Sequence, residues 1–261
     1  MGKMMKYLKQ YQILCGFFLT ICLLRLWGES LLPAGMEVEK EKAVSSFVEA
    51  GQEEMAAEAE VMEKESAETT GKMKRDLPPK IALTFDDGPS RYTEKLLDGL
   101  KERGVKASFF MIGESAERHQ DLVRRVREEG HLIGNHTYHH VDITKLPDEK
   151  AREELREMDR VIYEILGEHV EYMRPPFGVW QEKLEQEIDV LPVMWTIDPL
   201  DWTTKNVEEI VNKVVTQAGE NDIILLHDCY ESSVDAALQI VDVLKAEGYE
   251  FVTVDQLILG C

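Results

Sequence analysis

The stretch Ile81-Ala82-Leu83-Thr84-Phe85-Asp86-Asp87-Gly88-Pro89-Ser90 decides how this chain folds. An apolar run of strand character stops at two adjacent carboxylates and a Gly-Pro turn, so Asp86 and Asp87 emerge from the end of a buried strand. The plainer alternative is that both aspartates cap a helix starting near Tyr92, because Asp, Gly and Ser are all favoured at such ends. Residues further along separate the two readings.

From that strand onward, strand-like runs alternate with amphipathic helical ones. Ile81 to Phe85, Ala107 to Ile112, His131 to Asn135, Tyr172 to Arg174, Leu191 to Ile197, Asp222 to Leu226 and Phe251 to Val254 read as strands. Tyr92 to Arg103, Arg118 to Glu129, Asp148 to Leu166, Val207 to Ala218 and Ser233 to Glu247 read as helices. Repeated strand-helix units predict an α/β fold with a parallel sheet covered by helices, and about seven of them in roughly 185 residues suit a barrel, complete or not, better than an open sheet. Every motif described below falls just after a strand, at the edge where such folds gather their active sites.

The chain has 261 residues, 44% hydrophobic and 31% charged, enough for one catalytic-size domain with appendages. Its net charge of −20 is spread along the sequence, which argues against a nucleic-acid groove or a patch for anionic membranes. The cysteines Cys15, Cys22, Cys229 and Cys261 have no paired ligand spacing and predict neither a disulfide framework nor a zinc knuckle.

Lys3, Lys6 and Lys9 precede an apolar run from Tyr11 to Trp27, the signature of an export segment with its basic end in the cytoplasm. The run is just long enough to span a bilayer, with Arg25 able to snorkel to the outer interface. Residues 1–32 are therefore read as a cytoplasmic tail and signal anchor in the cell membrane, the remainder lying outside. The alternative is a signal peptide cleaved after Ala34, although Leu32 makes a poor small-residue site. Residues 33–76 form an acidic linker: from Met36 to Asp76 there are twelve acidic and six basic residues, no proline and no sustained apolar stripe. At Leu77-Pro78-Pro79-Lys80 the character changes, which sets the catalytic-size domain at 77–261.

In Gly134-Asn135-His136-Thr137-Tyr138-His139-His140, His136 and His140 are four apart, which predicts both imidazoles on one side of a helical turn with His139 pointing elsewhere. Such a pair is often incidental, but Asp87 would add a carboxylate, and two histidines with one carboxylate leave a position open for water at a divalent metal. In Met173-Arg174-Pro175-Pro176-Phe177-Gly178 the prolines stiffen the chain, so the Phe177 amide is held in a fixed direction suited to an oxyanion, and Arg174 could pin a carboxylate. Read alone, this segment could equally be a rigid surface turn. Two further segments are Ile197-Asp198-Pro199-Leu200-Asp201-Trp202 and Ile224-Leu225-Leu226-His227-Asp228, where His227, following a buried strand and oriented by a separate carboxylate, suits a general acid. His119, His131 and His169 read as surface or structural residues.

This ordered set, Thr-Phe-Asp-Asp-Gly-Pro, His-Thr-x-x-His, Arg-Pro-Pro-Phe-Gly, Asp-Trp and Leu-Leu-His-Asp, resembles the NodB-homology polysaccharide deacetylases, carbohydrate esterase family 4. The resemblance extends over essentially all of residues 80 to 258. It implies a distorted (β/α) barrel of about seven strands and metal-dependent removal of acetyl groups from sugars. It also implies that Asp86 is the catalytic base and that Asp87, His136 and His140 hold a divalent ion, with Zn²⁺ expected and Co²⁺, Ni²⁺ or Mn²⁺ as alternatives. By the same resemblance Arg174 orients Asp86, the Phe177 amide faces the oxyanion, Asp201 tunes His227, and Trp202 and Leu225 wall the pocket for the acetyl methyl. Phe177 departs from the family's common tyrosine, but the implied contact uses its backbone. The intact Asp86-Asp87 pair argues against variants in which one is asparagine.

Export, a spacer next to the membrane and no recognisable carbohydrate-binding appendage point to the cell's own wall. The expected substrate is acetylated glycan, N-acetylglucosamine of peptidoglycan. Chitin-like oligosaccharides, biofilm glucosamine or O-acetyl-xylan are the alternatives within the class, and a catalytically silent glycan-binding module is the alternative outside it. Oligomeric state is not legible.

Overall fold

In the computed structural model, residues 77–180 and 189–260 are described. The apolar run at 11–27, the acidic linker 33–76, Cys15, Cys22 and Cys261 lie outside them. None of the described helices is long and apolar enough to cross a membrane.

The opening stretch forms strand β1, Lys80–Asp86, in which every residue after Lys80 is buried. Such a continuous apolar run is what a parallel strand covered on both faces requires. The other strands are β2 (Ser108–Met111), β3 (Leu132–Asn135), β4 (Tyr172–Met173), β5 (Leu191–Pro192), β6 (Ile223–His227) and β7 (Glu250–Val252). All pairings among the described residues are parallel, in the order β5-β4-β3-β2-β1-β6, with β7 beside the start of β1. A single parallel bridge between Ile197 and Ile224 links the chain beyond β5 to β6. The sheet is thereby drawn round into a distorted barrel.

Among the described residues seven α-helices accompany the strands: α1 (Thr93–Arg103), α2 (Gly113–Arg118), α3 (Gln120–Glu128), α4 (Asp148–Leu166), α5 (Val207–Val215), α6 (Glu231–Ala246) and α7 (Val254–Leu259). In α4, Ala151, Leu155, Met158, Val161 and Ile162 are buried, a spacing of three and four that lays one face on the sheet. The main core joins these faces to Leu83, Phe85, Phe109 and Leu226. Each fully buried side chain of this size contributes about 1.5–3 kcal/mol relative to exposure.

One alternative falls away and three expectations change. Asp86 is the last residue of β1 and helix α1 is preceded by Tyr92 at its N-cap, so neither aspartate caps it. The expected helix from Arg118 to Glu129 is two helices, α2 and α3, because the His119 backbone, at φ −127° and ψ 47°, leaves the helical region. The expected strand from Leu191 to Ile197 is only two residues long plus the bridge at Ile197. Its carbonyls at Val193 and Met194 instead accept from the Arg174 guanidinium, at 3.0 and 3.3 Å. Helix α7 follows the last strand, where no helix was expected.

Candidate active site

The parallel register brings the motifs together. In the β1–β6 pairing Asp86 lies opposite His227, and in the β1–β2 and β2–β3 pairings Asp86 faces Phe110 and Met111 faces Asn135. The residues that follow each strand therefore converge at one C-terminal edge, as barrels of this kind require.

Asp87, His136 and His140 meet there, with one potential ligand atom from each lying within 4.8 Å of the others. The Nε2 atoms of His136 and His140 stand 3.4 and 3.3 Å from Asp87 Oδ1. That oxygen is buried and lacks a hydrogen-bond partner, which is the state expected of an atom reserved for a cation. His136 Nδ1 lies 2.6 Å from the Arg174 carbonyl, which can only accept. The proton therefore sits on Nδ1, and the lone pair of Nε2 faces Asp87. Burial alone would raise the Asp87 pKa, but His136, His227 and His140 together hold it below its usual value. Burial pulls the His140 pKa down against the opposing Asp87 charge, favouring the neutral, ligating form. These three residues fit a divalent ion with an open position.

The two histidines do not share a helical turn as their spacing predicts. They lie on a loop in which Thr137 and His140 have φ of 62° and 54°. Asn135, fully buried, fixes this loop: its Oδ1 accepts from the Thr137 amide at 2.8 Å and its Nδ2 donates to the Leu155 carbonyl at 2.8 Å. Gly134 is required one residue earlier, since a Cβ there would sit 2.4 Å from the Phe110 ring. His139 points away, as expected, and pairs with Glu154 at 2.8 Å.

Asp86 has its own buried counter-charge. Arg174, with no exposed surface, donates from Nη1 to Asp86 Oδ1 at 2.8 Å and to Thr84 Oγ1 at 2.7 Å. The guanidinium also lies 4.2 Å from the Phe110 ring centroid, so its position is fixed on every side. Burial lowers the Arg174 pKa and Asp86 opposes it.

His227 is built in the same way with the signs exchanged. Fully buried Asp201 accepts from the His227 amide at 2.9 Å and faces His227 Nδ1 at 2.8 Å. Burial opposes the imidazolium, but the Asp201 hydrogen bond and the charges of Asp201, Asp86 and Asp87 prevail and raise its pKa to about 9. Leu225, two residues earlier on the same strand, is buried, and Trp202 beside Asp201 is exposed.

Phe177 occupies the left-handed region at φ 60°, its ring 4.9 Å from that of His140. Its amide makes no hydrogen bond within the described residues and is free to donate to a ligand. Of the six described non-glycine residues at positive φ, five, namely Asp87, Thr137, His140, Phe177 and Leu200, belong to these site segments. Backbone strain of this kind persists where the surroundings over-determine it, and it clusters at functional sites.

Sequence reasoning assigned nothing to Asp228, although it closes the Leu-Leu-His-Asp segment. It is fully buried, its Oδ2 accepts from Thr93 Oγ1 at 2.5 Å, and its carbonyl accepts from Ser90 Oγ at 2.7 Å. Burial raises its carboxyl pKa to about 7 against the Thr93 hydrogen bond. A Cβ on Gly88 would lie 2.4 Å from Asp228 Oδ1, so this side chain is the wall against which the Asp87-Gly88-Pro89 turn is folded. Cys229 Sγ lies 3.9 Å from Asp87 Oδ2, burial pushes its thiol well above its ordinary pKa, and it is not one of the three residues whose ligand atoms cluster. Of the remaining histidines, His131 is buried, accepts from the Ala107 amide at 3.1 Å and is lowered to a pKa of about 4 by burial and Lys106; His169 pairs with Asp159 at the surface.

The polysaccharide deacetylase family model matches residues 73–194. The peptidoglycan-N-acetylmuramic acid deacetylase PdaC of Bacillus subtilis is 37% identical over 178 residues, covering 68% of this chain and 38% of that protein. A peptidoglycan-N-acetylglucosamine deacetylase of Bacillus cereus is 40% identical over 187 residues, covering 68% of this chain and 87% of the relative. The solved structure of PdaC superposes with a TM-score of 0.68 at 36% identity, over 69% of this chain and 90% of that one. This chain thus spans well under half the length of PdaC and most of the Bacillus cereus protein.

Proposed function

The chain belongs to the polysaccharide deacetylase family, and from that premise we propose that it is a metal-dependent hydrolase removing N-acetyl groups from N-acetylglucosamine in peptidoglycan. One observation carries the reading: the Asp87, His136 and His140 cluster stands between two oppositely charged pairs, Arg174–Asp86 and His227–Asp201. A silent glycan-binding module has no use for that arrangement.

Asp87, His136 and His140 would hold the ion, Zn²⁺ on the nature of the donors. When bound, a divalent ion polarises the acetyl carbonyl and makes water a better nucleophile near neutral pH. Asp86, held by Arg174, accepts the proton that water loses as its oxygen bonds to the carbonyl carbon. The Phe177 amide donates to the oxygen that gains charge. The carbon–nitrogen bond then breaks while protonated His227 gives its proton to the sugar nitrogen, leaving acetate and a free amine. Trp202 and Leu225 would wall the methyl group. We further propose that residues 1–32 anchor the chain in the membrane and that 33–76 carry the enzyme out to the wall; mature protein in the medium starting near Gly35 would show a cleaved signal peptide instead.

The test is acetate and free-amine release from purified wall glycan and from chitooligosaccharide by the zinc-loaded full chain. Release that requires zinc is expected, and its absence with zinc bound would overturn the proposal.

A further inference from the structure

A cleft of about 710 Å³ opens beside the reactive centre, lined by Arg91, Tyr92, Trp202, Lys205, Cys229 and Tyr230 among others. It is joined to the chemistry at three points. Cys229 Sγ is 3.9 Å from Asp87 Oδ2, the Tyr230 ring is 6.3 Å from the His227 ring, and Trp202 follows the Asp201 that holds His227. A sugar whose acetyl group reached Asp87 and His227 would therefore place its neighbouring groups in this cleft.

Two features define what the cleft takes. Trp202 and Tyr230 are 55% and 41% exposed, flat faces left in water of the kind on which the carbon–hydrogen faces of sugars stack. Arg91 and Lys205 are the second feature. The chain carries 50 acidic residues against 30 basic ones, and on the rest of the surface arginines and lysines are widely paired, as in Arg103 with Asp242 and Arg125 with Asp98 and Glu129. Neither Arg91 nor Lys205 is paired with a carboxylate among the described residues, and the two acids on the same cleft, Glu231 and Asp235, are already engaged by Lys95 at 3.7 and 2.6 Å. Arg91 is also pre-set, with its guanidinium carbon 4.7 Å from the Tyr92 ring centroid and Nη2 donating to Tyr92 Oη at 2.7 Å. A fixed guanidinium with free donors matches a carboxylate better than a neutral hydroxyl.

We infer that this cleft is a binding subsite for carboxylate groups carried by the glycan next to the sugar that is deacetylated. The inference rests on the deacetylase reading and narrows its substrate class: the preferred polymer is acidic, and the cleft offsets the repulsion that a chain of net charge −20 exerts on it. In peptidoglycan such carboxylates come from the lactyl ether or from the peptide attached to it.

Binding is measured by calorimetry on the full chain before zinc is added, so that no turnover is needed, and KM is measured on the zinc-loaded chain. The ligands are a neutral chitooligosaccharide, wall glycan stripped of peptide, and glycan with its peptides. Carboxylate-bearing glycan should bind on the order of tenfold more tightly than the neutral one at low salt, and the difference should shrink as salt rises. The double variant Arg91→Ala/Lys205→Ala should lose that preference while chitooligosaccharide binding and kcat stay within about twofold. Preference for the peptide-stripped glycan alone would assign the contact to the lactyl carboxylate, which an attached peptide masks as an amide; preference for the peptide-bearing one alone would assign it to the peptide, and preference for both would show that the cleft takes a carboxylate from either source; each supports the subsite. A wild-type chain with no preference, a double variant that keeps it, or equal losses on all three ligands would overturn it. Failure of the deacetylase reading shows separately, as absent acetate release with the binding preference intact.

Discussion

Replacing Asp201 with asparagine tests whether His227 works as a protonated acid. In the wild-type chain the His227 pKa stands at about 9 against an ordinary 6.5, with burial opposing the imidazolium and Asp201 the main support for it. That rise corresponds to roughly 3 kcal/mol at 1.36 kcal/mol per pKa unit. The substituted amide would keep one acceptor oxygen but lose the charge, and with two donors to serve, the His227 amide and Nδ1–H, it satisfies only one. The pKa should therefore fall towards its ordinary 6.5, because burial then meets only the weaker support of the Asp86 and Asp87 charges. At pH 8 a group of pKa 9 is about 90% protonated and one of pKa 6.5 about 3%, so the variant should lose about thirtyfold in kcat/KM beyond any loss seen at pH 6. Stability follows the same sign. A raised histidine pKa stabilises the fold fully below about pH 6.5 and the stabilisation is lost as pH rises through about 9, a loss that Asp201→Asn should remove. A bound divalent ion lowers both values through its charge, so the pH at which the thirtyfold difference appears moves down with them while its direction stays the same. Measured as pH–rate profiles with bound metal assayed in parallel, an alkaline limb that does not move would refute the assignment of His227 as the titrating acid, or of Asp201 as its partner.

His136→Ala and His140→Ala should each lose zinc on dialysis and turnover together, because two ligands hold zinc far more weakly than three; full activity in a rigorously metal-free His136→Ala protein would overturn the metal assignment. Asp86→Asn should lose nearly all turnover and keep its metal, since Asp87 and the histidines are untouched, and loss of metal in that variant would place Asp86 among the ligands instead. Arg174→Met should lower the stability of the fold by about 3–5 kcal/mol, seen as a fall in Tm, because it leaves the Asp86 carboxylate and the Val193 and Met194 carbonyls without their buried donor. An unchanged Tm would show that Asp86 does not depend on Arg174.

That these residues would meet was legible because they stand at strand ends, and strands announce themselves by apolar runs. Asp86, His136, Arg174 and His227 follow four such runs, and parallel pairing then leaves one edge for all of them. What escaped were features set by contacts across the fold. His136 and His140 carry helical spacing but sit on a loop, since Asn135 takes the Thr137 amide and two residues adopt positive φ. The strand near Leu191 is cut short because Arg174 takes its carbonyls, a competition between residues 19 and 20 positions apart. Asp228 looked like a bystander to His227, and its role as a buried wall for Gly88 depends on a contact 140 residues away. That Arg91 and Lys205 lack acidic partners among the described residues is likewise a property of the folded surface.

The same register that places Asp86 opposite His227 creates a problem that the site has to solve. A carboxylate and an imidazolium on adjacent strands attract one another, and a base paired with the acid serves neither proton transfer. The answer lies in two further buried residues. Arg174 reaches Asp86 from the far side at 2.8 Å, and Asp201 takes both the amide and Nδ1 of His227 from behind. Each partner is fully buried, so each pair is screened little by solvent and holds its geometry without the other. Among the described residues Asp86 and His227 form no ion pair with each other, and the cluster of Asp87, His136 and His140 meets Asp86 through the 3.7 Å separation of His136 Nε2 and Asp86 Oδ2. On the proposed mechanism, Arg174 and Asp201 would thus give the base and the acid separate tasks.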